Sequence, residues 1–232
     1  MGLKGSAFLA IWHDIAEGAH REYIEWHTRE HMPERLSVPG FRTGKRLHDP
    51  AAGRYVFGTI YAGDNVEVFR SAAYLERLNN PTPWTSAVAP SFRNFLRVAC
   101  DRIATAGNGD GGSFATIRFD LAGPGADATL RASAQGLVQS ILRLPGVCCV
   151  HLGMARTEVS GVRTRETELR SAMSERGFDA VVLIEGSCRA DLEAALPQAE
   201  RLAAATGAMT SPLVNIYETA FSLTSEDIRA PA

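Results

Sequence analysis

Two histidines four residues apart, His27 and His31, are the residues of this chain whose type and spacing best support chemistry. In a helix, side chains at positions i and i+4 lie on one face, about 6 Å apart. Two such imidazoles can share a proton near neutral pH or hold a metal. With Glu30 they match the H-x-x-E-H zinc motif, but that motif needs a further carboxylate ligand and a different fold. The sequence favours acid–base chemistry, and we predict no metal ligand.

The side chain of His31 has two interpretations. It either faces a binding pocket or is satisfied by a backbone carbonyl inside the core. The chain contains a repeat with an offset of 145 − 39 = 106 residues, set by Pro39 and Pro145, and at this offset Leu137 corresponds to His31. A polar ring where the other copy has an apolar side chain costs free energy unless it is bonded or used. We expect His31 to be the general acid/base.

Asp14, which follows the first predicted strand, is a candidate for tuning the histidines. Its carboxylate either orients an imidazole or caps the following helix, and the equivalent Asp120 in the second copy favours the cap. We retain Asp14 with His27 and His31 as the predicted catalytic set.

Aromatic side chains and one arginine are the candidates for contacting a substrate. Pockets in small barrels are apolar with few polar anchors, and a carboxylate or phenolate would need a cation. Most aromatic residues of these elements belong to the core. The predicted substrate-binding residues are Trp12, Tyr23, Trp26, Arg46, Phe57 and Tyr61.

Hydrophobic periodicity in the first half predicts the order β-α-β-β-α-β, the ferredoxin-like split unit. Residues 7–12 are almost continuously apolar, as in a strand covered on both faces, and residues 17–37 have helical spacing, with Pro33 as a candidate kink. The remaining predicted elements are strands 41–48 and 54–61, a helix over 66–78 and a strand over 92–103.

The second half repeats this order with one departure. Residues 156–178 replace a short hairpin turn by a longer charged segment, which is typical of a mobile loop or a lid. The predicted elements are strands 114–121, 147–155, 179–185 and 213–223 and helices 129–144 and 189–206.

The repeat predicts an α+β fold in which tandem ferredoxin-like modules form an intramolecular α/β barrel of the dimeric type. We expect residues 1–106 to form the module with the site and residues 107–112 to be a flexible, glycine-rich linker. Residues 113–232 then form a second, mainly structural module.

Composition restricts the class of partner. A net charge of −2 provides no basic field for nucleic acid or an anionic membrane, so a small hydrophobic or aromatic molecule is the expected partner, and a homodimer remains open. The four cysteines lack metal-ligand spacing, which favours reduced core residues in a cytoplasmic protein. We expect no cofactor.

The segment from Glu25 to Phe41, together with Trp12 and Asp14, resembles the EthD-like branch of the dimeric α/β-barrel superfamily. In that branch a helix with Trp, Glu and His runs into Pro, Gly and a strand. The resemblance implies that His31 faces the pocket between helix and sheet, while His27 stands where many relatives have tyrosine.

These observations predict a cofactor-independent enzyme that transforms a small hydrophobic or aromatic metabolite by histidine acid–base chemistry. The superfamily it resembles includes isomerases, cyclases, lyases and monooxygenases, so the reaction class stays open. The alternatives are a non-catalytic ligand-binding or stress-related barrel and a haem-binding member.

Overall fold

The computed structural model describes residues 3–161, 163–170 and 177–229, and the first half contains the predicted β-α-β-β-α-β order. Several helices are short and are joined by π or 3₁₀ turns. The elements are β1 Ala7–Ile15, α1 His20–Trp26, a π-helical turn His27–His31, α2 Met32–Ser37, β2 Phe41–His48, β3 Phe57–Gly63, a 3₁₀ turn Val66–Arg70, α3 Ala72–Asn79, α4 Pro83–Val88 and β4 Phe92–Gly107.

The second half repeats the order with two additional short helices in the predicted excursion. Its elements are β5 Ser113–Leu121, α5 Ala126–Leu142, β6 Val147–Ala155, α6 Thr157–Ser160, α7 Arg165–Leu169, β7 Ala180–Gly186, α8 Arg189–Ala204, β8 Met209–Thr224 and α9 Ser225–Arg229. The excursion therefore contains α6 and α7 where we predicted a loop or a lid, and parts of it lie outside the described residues.

The positions of the strands support the internal duplication. β1 spans residues 7–15 and β5 spans 113–121, so both ends differ by 106 residues. The last strands, β4 over 92–107 and β8 over 209–224, differ by 117 at both ends, because the second copy is longer between them. The two halves are two copies of one unit.

Hydrogen bonding joins the eight strands in the order β1-β3-β2-β8-β5-β7-β6-β4, which closes on itself. β3 pairs antiparallel with β1 from Ala7↔Gly63 to His13↔Phe57 and also pairs antiparallel with β2. β5 pairs antiparallel with both β7 and β8. This topology confirms the prediction of an α+β barrel of ferredoxin-like modules.

The chain divides into two compact units that do not coincide with the two halves of the sequence. We call residues 4–99, 156–177 and 220–232 the histidine unit, and residues 1–3, 100–155 and 178–219 the second unit. One boundary between the units, at residues 99 and 100, falls within β4, and another, at residues 219 and 220, falls within β8. Residues 156–177 follow β6 of the second half in sequence, yet they belong to the histidine unit.

The histidine unit has a core with many aromatic rings and several buried polar groups. One apolar cluster packs α2, β2 and β3 with the 3₁₀ turn, and another packs α1 with β3 and the start of β4. His13, His27 and His31 are all buried in this unit. Because buried polar side chains cost free energy unless they are bonded, these residues require an explanation.

The second unit has an almost entirely aliphatic core formed by β5, β6, β7, α5 and α8. Leu137 belongs to this core. The glycine-rich residues predicted as a flexible linker make ordered contacts here, since the Gly111 amide donates to the Glu185 carboxylate at 3.0 Å. A Cβ at Gly111 would lie 2.3 Å from the Gly186 carbonyl oxygen, so only glycine fits.

Candidate active site

A cavity of about 40 Å³ lies inside the histidine unit beside His31. Its wall combines aliphatic and aromatic side chains with several charged ones, and is more polar than the apolar pocket we predicted. The lining residues are Ile11, His31, Arg35, Tyr61, Phe69, Tyr74, Leu75, Leu78, Phe95, Arg97, Ser160, Glu166, Thr167 and Arg170.

His31 is presented by an irregularity in its helix. The π-helical turn His27–His31 interrupts the helix, and the Met32 amide bonds to the His27 carbonyl, five residues back. Pro33 follows directly; it has no N–H, and its ring would clash with the carbonyl of Arg29 in a regular α-helix. A π turn widens the backbone at this point, and such turns occur frequently at functional sites.

The imidazole of His31 is buried and has an unsatisfied atom. Its ring packs on the Trp26 indole at a centroid distance of 4.2 Å. Within the described residues, Nδ1 finds no hydrogen-bond partner, so the alternative of a backbone-bonded Nδ1 is not observed. Burial, and then the nearby guanidinium of Arg35, holds the pKa of His31 well below its usual value. At neutral pH the ring is uncharged.

His27 lies next to His31 but does not line the cavity. The two ring centroids are 5.6 Å apart, close to the predicted spacing. His27 Nδ1 lies 3.5 Å from Arg46 and Nε2 lies 3.5 Å from the Thr59 hydroxyl. Burial, followed by the charge of Arg46, lowers the pKa of His27 as well. His27 is thus an uncharged neighbour of His31 and is not part of the cavity wall.

A buried ion network borders the cavity on its charged side. The Glu166 carboxylate accepts from both Arg35 and Arg170, and Arg35 also donates to Glu34 at 3.0 Å. Burial opposes the charge of Arg35, but nearby acidic groups, of which Glu166 is the strongest, together outweigh burial and raise the pKa of this guanidinium. Arg35 and Glu166 are 131 residues apart in sequence, so the network fastens α7 to the first-half helix α2.

Arg170 has an unusual environment for a charged side chain. Its guanidinium carbon lies 4.2 Å from the centre of the Phe95 ring and 5.4 Å from that of Phe92, as in cation–π contacts. One of its terminal nitrogens donates to Glu166. Its Nε is buried, and the part of the chain that the structure describes offers it no acceptor.

Tyr61 contributes a third buried polar atom to the same cavity. The side chain is 1% exposed, and its hydroxyl finds no partner among the described residues. Burial raises the pKa of Tyr61 well above its usual value, so the phenol keeps its proton. Of the predicted site residues, only His31 and Tyr61 line the cavity.

The other predicted substrate-binding residues are buried in the histidine unit but do not line the cavity. Trp26 donates from Nε1 to the Thr85 hydroxyl at 3.1 Å, and the Tyr23 hydroxyl lies 3.1 Å from Nε2 of His13. Phe57 stacks on His48 at 4.7 Å. These contacts give the three side chains roles in packing.

Trp12 and Arg46 are also buried away from the cavity. Trp12 is fully buried in β1. Arg46 donates to the Thr28 hydroxyl at 2.7 Å, and its guanidinium carbon lies 5.3 Å from the centre of the Phe221 ring. Arg46 therefore supports the helix that carries the histidines.

Asp14 does not cap helix α1, and its contact with a histidine is through its backbone carbonyl, which lies 3.4 Å from Nδ1 of His13. Helix α1 begins after Ala19 with no side-chain cap, so our capping prediction is wrong. The Asp14 carboxylate instead accepts from the Val56 amide and from the Asn94 side chain, both at 2.7 Å. It fastens the turn before β3 to β4.

Sequence reasoning missed all four charged residues of the cavity wall, Arg35, Arg97, Glu166 and Arg170. Arg35 lies four residues after His31, at a spacing that places both on one helical face, and this signal was available. Glu166 and Arg170 have the same i, i+4 spacing in the charged excursion. Nothing local indicated that this excursion packs beside the first-half helix.

Among the described residues, no three or more His, Cys, Asp or Glu side chains are grouped so that they can hold a metal ion. No helix in the described ranges is long and apolar enough to cross a membrane.

Comparison of the sequence with known protein families and with curated proteins found no match. Solved structures do resemble this chain. An anthrone oxidase-like protein has a TM-score of 0.66 at 11% identity, covering 100% of this chain and 99% of its own.

Two proteins named as candidate monooxygenases also resemble it. One, from Fusobacterium nucleatum, has a TM-score of 0.60 at 11% identity, with 95% of both chains covered. The other, from Lactobacillus acidophilus, has a TM-score of 0.58 at 15% identity, covering 96% of this chain and 97% of its own. At these identities the similarity establishes a shared fold.

Proposed function

We propose that this protein is a cofactor-independent enzyme in which His31 transfers protons to and from a small hydrophobic or aromatic substrate. The observation that carries the proposal is the neutral, buried imidazole whose Nδ1 has no partner in the described residues and which lines a cavity with Tyr61. An unsatisfied buried nitrogen costs free energy, and proton transfer to a ligand would explain why it is kept.

The proposed chemistry uses the imidazole of His31 and the hydroxyl of Tyr61. With its own proton on Nε2, His31 takes a proton from an acidic C–H or O–H of the substrate through Nδ1. The substrate oxygen that gains negative charge accepts a hydrogen bond from the Tyr61 hydroxyl, which remains protonated because burial raises its pKa. The resulting imidazolium is strongly acidic in this environment and returns its proton to the product. Such catalysis typically contributes about 10²–10⁴ in rate.

Names of the structural neighbours agree with a small-molecule enzyme, since they include an anthrone oxidase-like protein and candidate monooxygenases. Placement in the EthD-like branch remains part of this proposal, on the strength of the segment from Glu25 to Phe41. The reaction class is not fixed by fold similarity, because one fold serves many reactions.

The size of the cavity sets a condition on this function. A volume of about 40 Å³ holds two or three water molecules, whereas a benzene ring needs on the order of 150 Å³. A ring-bearing substrate therefore requires lining side chains to move apart. This observation also favours the second candidate, a non-catalytic protein that binds a small polar ligand.

Proton transfer can be tested without knowing the final product. The protein is incubated in D₂O with a panel of small phenols, ketones and aryl-substituted acids that carry an acidic C–H bond, and deuterium uptake is followed by mass spectrometry. We expect exchange with the wild-type protein, and a loss of at least about a hundredfold in His31→Asn.

The matched control is His20→Asn, which changes an exposed histidine whose Nε2 lies 3.1 Å from the Ile15 carbonyl. It should keep the wild-type exchange rate. Ligand binding without exchange in any variant would favour the non-catalytic binder. An absorbance scan of the purified protein tests the haem-binding alternative.

A further inference from the structure

Resting on the acid–base function above, we infer that the substrate carries a carboxylate and that Arg170 Nε is its anchor in the cavity. Arg170 lies in the second-half excursion and has no role in the proton transfer assigned to His31 and Tyr61. The anchor would make Arg170 a binding residue that sets the substrate class.

The first argument is hydrogen-bonding capacity. Arg170 is 90% buried at its side chain, and one terminal nitrogen is already used by Glu166. The Nε–H remains without an acceptor among the described residues. A guanidinium is a strong and always charged donor, and its preferred acceptor is a carboxylate.

The second argument is charge. Three arginines and one glutamate line the cavity, which leaves two positive charges among the lining residues. Glu34, which bonds to Arg35 from outside the lining, reduces the excess to one. His31 adds none, because its imidazole is neutral. A single uncompensated positive charge matches a monoanion better than a phosphate dianion.

The third argument is size. The cavity of about 40 Å³ has room for the three heavy atoms of a carboxylate group, which occupy about the space of two or three waters. Phe95 and Leu75 also line it and provide apolar contact for the carbon to which the group is attached.

Glu166 explains why Arg170 presents Nε rather than a terminal nitrogen. The carboxylate of Glu166 holds a terminal nitrogen of Arg170 while it also bonds to Arg35. The stack on Phe95 fixes the plane of the guanidinium. Glu166 is a positioning residue in this scheme, and it does not touch the ligand.

The test compares acids with neutral amides of the same shape. Binding of benzoate, benzamide, acetate and acetamide to the full-length protein is measured by ligand-observed NMR and calorimetry. We expect each acid to bind at least about tenfold more tightly than its amide, because only the acid forms a hydrogen bond between two charged groups with Arg170. Equal binding of acid and amide, or no binding of either acid, would overturn the inference.

Variants assign the effect to Arg170. Arg170→Gln should lower the affinity for benzoate at least tenfold and leave benzamide unchanged, while Arg170→Lys, which keeps the charge, should recover part of the loss. Glu166 keeps Arg35 as a partner in both variants, which protects the fold. Arg29→Gln, at an exposed pair with Glu25, is the charge-matched control and should bind as wild type does.

The two proposals fail separately. If Arg170→Gln loses benzoate binding but no compound ever exchanges deuterium, the anchor stands and the enzyme function falls. If exchange depends on His31 while benzoate affinity ignores Arg170, the enzyme function stands and the anchor falls. His31→Asn should retain benzoate affinity within a few fold.

Discussion

The two copies of the ferredoxin-like unit differ most at one helical position. His31 is 7% exposed and its equivalent Leu137 is 5% exposed, so burial is the same and only the chemistry differs. Leu137 lies on the uninterrupted 17-residue helix α5, whereas His31 ends a π turn. One copy has a regular helix on an aliphatic core and a buried histidine, His151; the other has an irregular helix, three buried histidines and, at His31, an Nδ1 without a partner among the described residues. This contrast is the one we expect if the histidine unit gives up stability for the proposed site.

The largest effect is expected from the buried ion network of the histidine unit. Glu166→Gln leaves Arg35 and Arg170 buried without their shared carboxylate, and breaking a buried pair in this way costs about 3–5 kcal/mol. Urea unfolding measures the change. Glu193→Gln, at an exposed pair with Arg189, should leave the unfolding midpoint unchanged. Equal midpoints for both variants would show that the network does not stabilise the fold.

Exchanging the residues of the repeat tests the stability cost directly. Leu137→His puts an imidazole into an aliphatic core and should cost about 2–4 kcal/mol of unfolding free energy. His31→Leu removes an unsatisfied nitrogen and should be neutral or gain up to about 1 kcal/mol. Chemical denaturation of both variants gives the comparison. A loss in His31→Leu as large as in Leu137→His would mean that His31 is a structural residue.

The acid sensitivity of the histidine unit provides the next contrast. Burial lowers the pKa of His13 to about 3, against ~6.5 when unfolded. The folded state therefore excludes a proton that the unfolded state takes up, and stability is present above pH 6.5 and lost as pH falls toward 3. The slope is about 1.4 kcal/mol per pH unit between pH 6 and 4.

The equivalent of His13 is residue 13 + 106 = 119, the buried Phe119. His13→Phe should reduce the loss of unfolding free energy per pH unit between pH 6 and 4 by that amount. Phe119→His should increase this loss. The measurement is the unfolding free energy of wild type and both variants at pH 7, 6, 5 and 4. If wild type and His13→Phe lose stability in parallel, the burial of a neutral imidazole is not the cause.

The sequence predicted the fold well because strands and helices are coded by local periodicity. β1 and β2 begin where expected or within a residue, and the offset of 106 holds through β1, the helix and β2. The prediction missed helix α4, which begins at Pro83, the last residue of a loop-like Asn-Asn-Pro-Thr-Pro run, with Thr82 of the same run as its N-cap. Proline at the start of a helix looks the same in sequence as proline in a loop.

Part of the cavity wall could not be predicted from the sequence. His31 and Tyr61 lie on elements whose inner faces the periodicity reveals. Glu166 reaches Arg35 across 131 residues, and no local pattern encodes such a pairing. Buried ion pairs are also hard to recognise in a sequence, because a run of charged residues normally indicates a solvated surface.

The smallest effect is expected at Pro33, which tests why one helix is irregular and the other is not. Gln139 occupies the equivalent position, 33 + 106, in the uninterrupted helix α5. Pro33→Ala restores an amide and removes the clash with the Arg29 carbonyl, so the π turn can revert to α-helical hydrogen bonding at a change of less than about 1 kcal/mol. That reversion would rotate His31 relative to Trp26 and lower the rate of deuterium exchange several-fold. A crystal structure of the variant tests this. If the His27 and His31 rings keep their 5.6 Å separation and the Met32 amide still bonds to the His27 carbonyl, then packing of the histidines, and not proline, maintains the turn.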